Sequence, residues 1–226
     1  MNPPKDDLFA VLDESLTSLR EGDVVVISSK VVAINEGRCV TESDFDSTKH
    51  NQEKADVIIP RSNWNSPLTI INNVMVGNSG VDRSNSNGYV TMLPAEPFVS
   101  AREIYNFLIK KFALKNLGVI IADSHSVPCR YGAMGVAISF WGIHPLQNHI
   151  GKEDLFGRKI KVERSNLVDG ITAGATVVMG EVAECMPVVI VRDVPNVEFV
   201  DADCKDELFC SFEDDVFNVL YERFLS

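Results

Sequence analysis

The chain has 226 residues, of which 45% are hydrophobic and 23% are charged, and these values are ordinary for a globular protein. Its formal net charge of -11 argues against a general affinity for nucleic acid or an anionic membrane, because both need a basic protein surface. The five cysteines are scattered without C-x-x-C spacing, so neither a disulfide framework nor a zinc site is indicated. The sequence shows neither a signal-peptide-like start nor an apolar run long enough to cross a bilayer, and we expect a soluble, cytoplasmic protein.

The first part of the chain predicts a helix, a buried strand and a polar turn. Apolar residues at helical spacing over residues 8–19 indicate the helix, and residues 24–27 form the apolar run of the strand. Residues 28–30 (Ser-Ser-Lys) favour a turn, although small polar residues can also cradle an anion. We interpret the apolar residues 31–34 that follow as extended backbone.

The next part of the chain is rich in loops. Residues 41–65 are polar and irregular apart from a brief extended piece at residues 58–60, whereas residues 68–76 and 89–93 predict strands. Between these strands, residues 77–88 form a loop rich in Gly, Asn and Ser that carries Asp82. Functional groups concentrate on such loops, and the alternative is a hairpin turn at the surface.

The functional interpretation depends most on residues 119–142. The apolar residues 117–122 predict a buried strand that ends at Asp123 and Ser124. A buried strand that carries a carboxylate at its end is a common way for α/β and α+β enzymes to place a metal ligand or an acid–base group. The alternative is an aspartate that caps a helix or a turn.

Two local patterns have structural interpretations. Ser100 and Glu103 are spaced as in a capping box, which predicts the start of a helix. His144 and His149 are five residues apart, which is a poor spacing for a shared helical metal site. We therefore interpret both histidines as surface or packing residues.

The last part of the chain predicts two helices and a strand. Residues 166–179 are small and apolar, which indicates a helix packed closely against another element, and residues 187–191 predict a core strand. An amphipathic helix is expected to begin near residue 207 or 213 and to run through Phe224. Because helices and strands are mixed without regular βαβ alternation, we predict an α+β fold with mixed sheets and packed helices.

Several segments together resemble one family, the coenzyme F420-0:L-glutamate ligases, also called F420:γ-glutamyl ligases. The resemblance covers nearly the whole chain in order. It rests on residues 22–38, 77–85, 118–124, 130–142, 150–160 and 178–181. Residues 51–61 and 87–97 are most similar to a bacterial branch described as folate-metabolism γ-glutamate ligases.

This resemblance implies a single ligase-like domain over residues 1–226, with two intertwined subdomains as the alternative organisation. It implies a reaction that joins the amine of L-glutamate to a small carboxylate, F420-0-like or folate-like, through an acyl phosphate. GTP, or ATP, would supply the phosphate, with Mg²⁺ or Mn²⁺ as the metal. The family also implies a homodimer with the nucleotide near the subunit interface.

By position, the resemblance implies two groups of functional residues. The implied metal ligands are Asp82, Asp123, Ser124 and Glu181, and of these Asp82 and Asp123 are the implied catalytic residues. The implied nucleotide contacts are Ser29, Lys30, Asn85, Met179, Gly180 and Glu181, the last three in the loop 179–186. Hard divalent cations prefer carboxylate oxygens, and three carboxylates from separate loops would repel one another without a cation. We therefore predict that the three carboxylates converge in the folded protein.

The chain departs from the family pattern at positions that contact the nucleotide. Ile34 replaces a lysine of the family, residues 126–127 replace a glycine and an arginine, and residues 182–183 are less flexible than the usual glycine-rich loop. The N-terminal Leu-Pro segment is reduced to residues 2–4. We expect weak, metal-dependent nucleotide binding. Two alternatives remain, namely a relative that binds metal or nucleotide without turnover, and a metal-dependent hydrolase.

Overall fold

The centre of the fold is a five-stranded sheet. The structure is a computed structural model, which describes residues 1–225. The strands of the described part are Val24–Ser28 (β1), Cys39–Thr41 (β2), Val57–Ile59 (β3), Leu68–Ile71 (β4), Val74–Gly77 (β5), Tyr89–Thr91 (β6), Gly118–Ser126 (β7), Ala133–Ile143 (β8), Leu146–Asn148 (β9), Arg164–Asn166 (β10), Val188–Val191 (β11) and Phe199–Val200 (β12). The helices are Leu8–Ser15 (α1), Ser29–Glu36 (α2), Ser47–Lys54 (α3), Pro97–Phe112 (α4), Leu167–Met179 (α5) and Lys205–Leu208 (α6).

The central sheet has the strand order β11-β1-β7-β8-β12, in which β1 and β7 are parallel and the other neighbours are antiparallel. One apolar cluster lies between this sheet and α1, α2 and α4, and a second lies between the sheet and α5. Strand β1 supplies side chains to both clusters, which explains its continuous apolar run. The predicted α+β fold is therefore confirmed.

Three smaller sheets surround this core. Strands β3, β4 and β5 form one sheet, β2 pairs with β6, and β9 pairs with β10. A third apolar cluster packs Val57 and Ile70 of the first of these sheets against Tyr221 near the C-terminus. The organisation into a single domain stays a prediction. No helix within residues 1–225 combines the length and the apolar character needed to cross a membrane.

The largest correction concerns residues 31–34, which are helical and not extended. They lie in α2, which spans Ser29–Glu36. Gly37 follows the helix, and its φ of 72° provides the left-handed conformation common at helix ends. Val31, Val32, Ala33 and Ile34 are all buried. The short run therefore shows no polar alternation from which sequence alone could distinguish a helix from a strand.

The far end of α2 connects it to two other helices. The Asn35 side chain accepts a hydrogen bond of 3.0 Å from the backbone N–H of Leu8 at the start of α1. The Glu36 carboxylate accepts hydrogen bonds of 2.7 Å from the Ala95 N–H and from the Ser100 hydroxyl, close to the start of α4. The predicted capping box at Ser100 is therefore wrong, since α4 begins at Pro97 and Ser100 bonds to a distant glutamate.

Other boundaries also differ from the predictions. The first helix ends at Ser15, the polar region 41–65 contains α3, and residues 68–76 form two strands joined at Asn72 and Asn73. These two asparagines have φ values of 51° and 59°, which a tight hairpin turn requires. The extended piece expected at residues 58–60 is confirmed as β3. Elements β1, β11 and α5 match their predictions closely.

The predicted C-terminal amphipathic helix is wrong. The described residues after 207 contain the end of α6 and two short 3₁₀ turns, Asn218–Leu220 and Glu222–Phe224. The Tyr221 hydroxyl donates a hydrogen bond of 2.6 Å to Asp215, and the Tyr221 side chain is buried. Phe217 remains exposed, so the apolar positions do not share one helical face.

Gly142 allows β8 to pass close to β7, and its replacement by Ala should destabilise the fold. Its φ is 86°, and a Cβ atom there would overlap the Leu117 carbonyl oxygen and lie 2.6 Å from the Tyr105 ring. Gly151 is a matched control because its φ is 85° and its Cβ would meet no atom within 4 Å. We expect Gly142→Ala to lower the free energy of unfolding by about 3 kcal/mol or more, against about 1–2 kcal/mol for Gly151→Ala. Urea unfolding measures both, and equal losses would contradict the close contact.

Candidate functional site

A cavity of about 730 Å³ lies where the parallel strands β1 and β7 end. Its walls come from the start of α2, the loop after β5, the end of β7 and the loop after α5. Every residue that the sequence analysis proposed as a metal ligand or a nucleotide contact lines it: Ser29, Lys30, Asp82, Asn85, Asp123, Ser124, Met179, Gly180 and Glu181. The carboxyl edge of parallel strands is a common position for ligand sites in sheets of this kind.

Asp123 lies just beyond the pairing of the two parallel strands, where Ser28 is opposite Ala122. The prediction that the strand ends at Asp123 is wrong, since β7 continues to Ser126 and pairs Asp123 with Val136 of β8. The pairing of β7 with β8 shifts register immediately before this point, between Ile121 and Ala122. Such bulges often lie beside functional sites, where they change the direction of a side chain.

The Asp123 carboxyl group has an unusual electrostatic environment. Its pKa is raised from 3.8 to about 6, chiefly by burial and to a smaller extent by the negative charge of Asp82. The Ser124 backbone, the Ser29 hydroxyl and the Lys30 charge lower the pKa, but they do not offset the burial. In the absence of a cation, this carboxyl group therefore holds a proton more readily than an ordinary aspartate.

Asp82 is fixed by its own backbone and by a lysine. Two hydrogen bonds of 2.9 and 2.8 Å join its backbone to that of Thr91, so the loop is held beside β6. Its carboxylate accepts a hydrogen bond of 2.6 Å from the Ser84 N–H and lies 2.6 Å from Lys30 Nζ. Burial acts to raise the pKa of Asp82, but the bonds from Lys30 and Ser84 outweigh it and hold the pKa below the usual value.

The first turn of α2 faces the cavity. Ser29 and Lys30 both line it, and Lys30 Nζ also donates to the Ser84 carbonyl oxygen at 2.7 Å. The helix has no acidic residue in its first turn, and its cap residue Ser28 makes no side-chain capping bond. Free backbone N–H groups at a helix N-terminus favour an anion, so this end of α2 is suited to a phosphate.

Close packing positions the end of α5. A Cβ atom at Gly135 of β8 would lie 2.5 Å from the Thr176 hydroxyl, so only glycine allows this helix to approach the sheet so closely. The predicted close packing of this helix is confirmed. Beyond it, Gly180 has a φ of 74°, and the Asn85 side chain donates a hydrogen bond to the Val182 carbonyl oxygen. The two loops that border the cavity therefore contact each other.

The three predicted carboxylates share the cavity wall, but they do not form a closed cluster. Within residues 1–225, one set of three potential metal ligands has all its ligand atoms within 4.8 Å of one another. That set is His144, Cys204 and Glu207, and it does not include these carboxylates. Glu181 is exposed, whereas Asp82 and Asp123 are partly buried. The assignment of these three residues as metal ligands stays a prediction.

Sequence reasoning missed several residues of the cavity. Met1, Val11 and Ser15 line it although they lie in the N-terminal segment, and Thr176 contributes from α5. No motif marks these residues, because they are brought to the cavity by packing alone. Ile34 is also in the wall, with an exposed fraction of 3%. Ile34 lies one helical turn from Lys30 in α2. The distance between these two residues is therefore far shorter than the extended interpretation implied.

The observations so far define an α+β protein with a cavity of about 730 Å³, lined by several carboxylates, at the carboxyl edge of two parallel strands. Residues 3–193 match the family described as F420-0:Gamma-glutamyl ligase. The chain is 36% identical over 216 residues to the coenzyme F420:L-glutamate ligase of Methanococcus maripaludis, covering 88% of this chain and 86% of the relative. The ligase of the same description from Methanocaldococcus jannaschii is 35% identical over 216 residues, again 88% of this chain and 86% of the relative.

A third relative has similar identity over a longer stretch of the chain. The coenzyme F420:L-glutamate ligase of Halorubrum lacusprofundi is 34% identical over 233 residues, covering 93% of this chain and 89% of the relative. The chain therefore belongs to the F420-0:γ-glutamyl ligase family, and the resemblance noted from the sequence is confirmed.

Proposed function

We propose that this protein is a γ-glutamyl ligase that joins the amine of L-glutamate to a small carboxylate, using GTP or ATP and a divalent cation. The observation that carries the proposal is the single cavity, which combines acidic side chains, a lysine and the free end of a helix. A volume of about 730 Å³ is within the range of small-molecule sites. The relatives described as coenzyme F420:L-glutamate ligases support glutamate as the amine and an F420-0-like acceptor.

The donor set of the cavity fits Mg²⁺ or Mn²⁺. Asp82, Asp123, Ser124 and Glu181 offer hard oxygen atoms, which these cations prefer. The raised pKa of Asp123 reflects a buried carboxyl group that lacks full compensation, and a cation would provide it. A bound cation would neutralise phosphate charge during transfer.

The chain's own residues provide the rest of the site. The first turn of α2 and Lys30 would hold the phosphates, while the loop after α5 and Asn85 would border the nucleotide.

The proposed reaction has two steps. The acceptor carboxylate attacks the terminal phosphorus, which forms an acyl phosphate and releases the nucleoside diphosphate. The glutamate amine then attacks the acyl carbon, and phosphate leaves. Both steps need the reactants aligned and shielded from water, which a cavity between contacting loops favours.

We also infer that the protein forms a homodimer. Val177, Val178 and Val182, at the end of α5 and in the following loop, are 83%, 53% and 72% exposed. Apolar side chains grouped beside a cavity are typical of an interface. A second copy on this surface would lie next to the nucleotide position.

We predict phosphate release that depends on both glutamate and an acceptor. The purified protein is mixed with Mn²⁺, GTP or ATP, L-glutamate and either F420-0 or folate, and phosphate and the γ-glutamyl product are measured together. Equal amounts of phosphate and product are expected, because each amide bond consumes one nucleotide.

Omitting one component at a time distinguishes the alternatives. A metal-dependent hydrolase would release its product without nucleotide, and a relative that only binds ligands would release no phosphate although it binds nucleotide. Either outcome would refute the ligase proposal.

A further inference from the structure

Three side chains that commonly bind transition metals meet at the edge of the central sheet, outside the cavity. They are His144, Cys204 and Glu207, and their ligand atoms all lie within 4.8 Å of one another. The three residues come from two distant segments of the chain, and none of them lines the cavity of the candidate functional site. The sequence analysis interpreted His144 as a surface or packing residue and found no zinc site, because sixty residues separate it from Cys204.

His144 is held at the end of β8 by the neighbouring edge strand. Strand β12 pairs Phe199 with Ile143, and the backbone N–H of His144 donates a hydrogen bond of 2.9 Å to the Glu198 carbonyl oxygen. The Trp141 indole donates a further bond of 2.8 Å to Asp201. These contacts fix the segment that leads to Cys204 against the sheet.

Cys204 and Glu207 belong to a single helical turn that is anchored on both sides. The Cys204 side chain is 7% exposed and packs in the apolar cluster below α5. The Glu207 N–H donates a hydrogen bond of 3.1 Å to the Cys204 carbonyl oxygen. Because the two residues are three positions apart in a helical turn, their side chains lie on the same side of it. After this turn, Phe209 packs edge-on against Phe98 with ring centroids 5.8 Å apart. The ligand positions are thus held by well-packed neighbours, as a binding site requires.

The chemistry of the three groups suits a borderline-soft cation. The Glu207 carboxylate lies 3.0 Å from the His144 ring nitrogen Nδ1, within hydrogen-bond distance. The Cys204 sulfur lies within 4.8 Å of the ligand atoms of both other residues, so imidazole, thiol and carboxylate are all within reach of a single ion.

We propose that His144, Cys204 and Glu207 bind a divalent cation of the zinc class, with a fourth position open to water. Imidazole, thiolate and carboxylate are the ligands that Zn²⁺ takes in proteins, and three protein ligands with one open position form a known arrangement. The open side is the solvent side, since the Glu207 side chain is 47% exposed. Binding forms the metal–sulfur bond and releases the thiol proton to water. The cation links the segment after β12 to the end of β8, independently of the ligase proposal.

The test uses Co²⁺ as a spectroscopic probe on the full-length, metal-free protein. Co²⁺ bound through sulfur shows a thiolate-to-metal charge-transfer absorption, which oxygen ligands in the cavity cannot produce. We expect one equivalent of Co²⁺ to produce this absorption and one equivalent of Zn²⁺ to remove it. Zn²⁺ at a hundredfold excess over its dissociation constant should raise the melting temperature by about 5–10 °C.

Matched variants identify the ligands. Cys204→Ser should abolish the absorption, and Glu207→Gln, at a side chain that is 47% exposed, should weaken Co²⁺ binding about 10–100-fold without affecting folding. Cys210→Ser, in the same segment, and Cys185→Ser, in the cavity wall, should leave the absorption unchanged. The proposal is overturned if wild-type protein shows no thiolate absorption, or if the absorption is lost in Cys185→Ser and kept in Cys204→Ser.

Discussion

Asp123→Asn should abolish ligase turnover and, without metal, make the protein more stable at neutral pH. The Asp123 carboxyl group has a pKa of about 6 in the folded protein, against 3.8 for an ordinary aspartate. Between these two values the folded state binds more protons than the unfolded state, so stability falls as the pH rises through this window and stays lower above it. Asparagine carries no charge, so the variant does not lose stability as the pH rises through this window.

The expected gain for Asp123→Asn is on the order of 2 kcal/mol at pH 7.5 in EDTA, since one pKa unit corresponds to about 1.4 kcal/mol and the side chain retains some contact with solvent. The gain should disappear below about pH 4, where the Asp123 carboxyl group of the wild type is protonated in both the folded and the unfolded state. Turnover should fall by about a thousandfold or more, to the background of the assay, because a carboxylate proposed to hold the cation is lost. Urea unfolding at several pH values measures the stability, with the exposed Asp193→Asn as control. A large drop in melting temperature would instead identify Asp123 as a structural cap.

Lys30→Met should change metal and nucleotide binding in opposite directions. Lys30 Nζ lies 2.6 Å from the Asp82 carboxylate and must be displaced when a cation binds that carboxylate. Removing the lysine removes this competitor, so Mn²⁺ alone should bind several times more tightly. The nucleotide loses a charge-assisted contact worth about 1.5–3 kcal/mol, so its affinity should fall by roughly one to two powers of ten.

Electron paramagnetic resonance of free Mn²⁺ measures the first change, and titration calorimetry with GTP and ATP measures the second. Lys111→Met is a matched control, because that lysine forms a 3.0 Å ion pair with Asp13 on another face. Its side chain is 20% exposed, close to the 22% of Lys30. If the Mn²⁺ affinity falls in Lys30→Met, the lysine stabilises the metal site and does not compete with the cation for Asp82.

Prediction from sequence was most successful where an apolar run packs against its neighbours. Strand β1 contributes to two apolar clusters, and the small apolar residues of α5 allow close packing on β8, where Gly135 meets Thr176. Helix α2 was missed because four buried apolar residues fit either period. Helix α3 was missed because it is almost entirely polar, and its two buried residues, His50 and Asn51, are not apolar.

The candidate site shows a sharper limit. Nothing in the local patterns around Asp82, Asp123 and Glu181 indicates that they line one cavity, since the loops that carry them are separated by whole elements. Their grouping came from the family resemblance. Glycine contacts such as that between Gly135 and Thr176, and the bulge before Asp123, decide where the side chains lie. These features depend on long-range packing, which no local pattern encodes.

Helix α2 has a consequence for how local order spreads through the molecule. Its first turn lines the cavity, whereas its last two side chains, Asn35 and Glu36, bond to the backbone of Leu8 and Ala95. We expect a ligand that holds Ser29 to suppress the local unfolding of α2, and with it the breaking of both distant backbone bonds. Occupancy of the cavity would then be transmitted to the beginnings of α1 and α4, so two segments that are not adjacent in sequence would gain rigidity together.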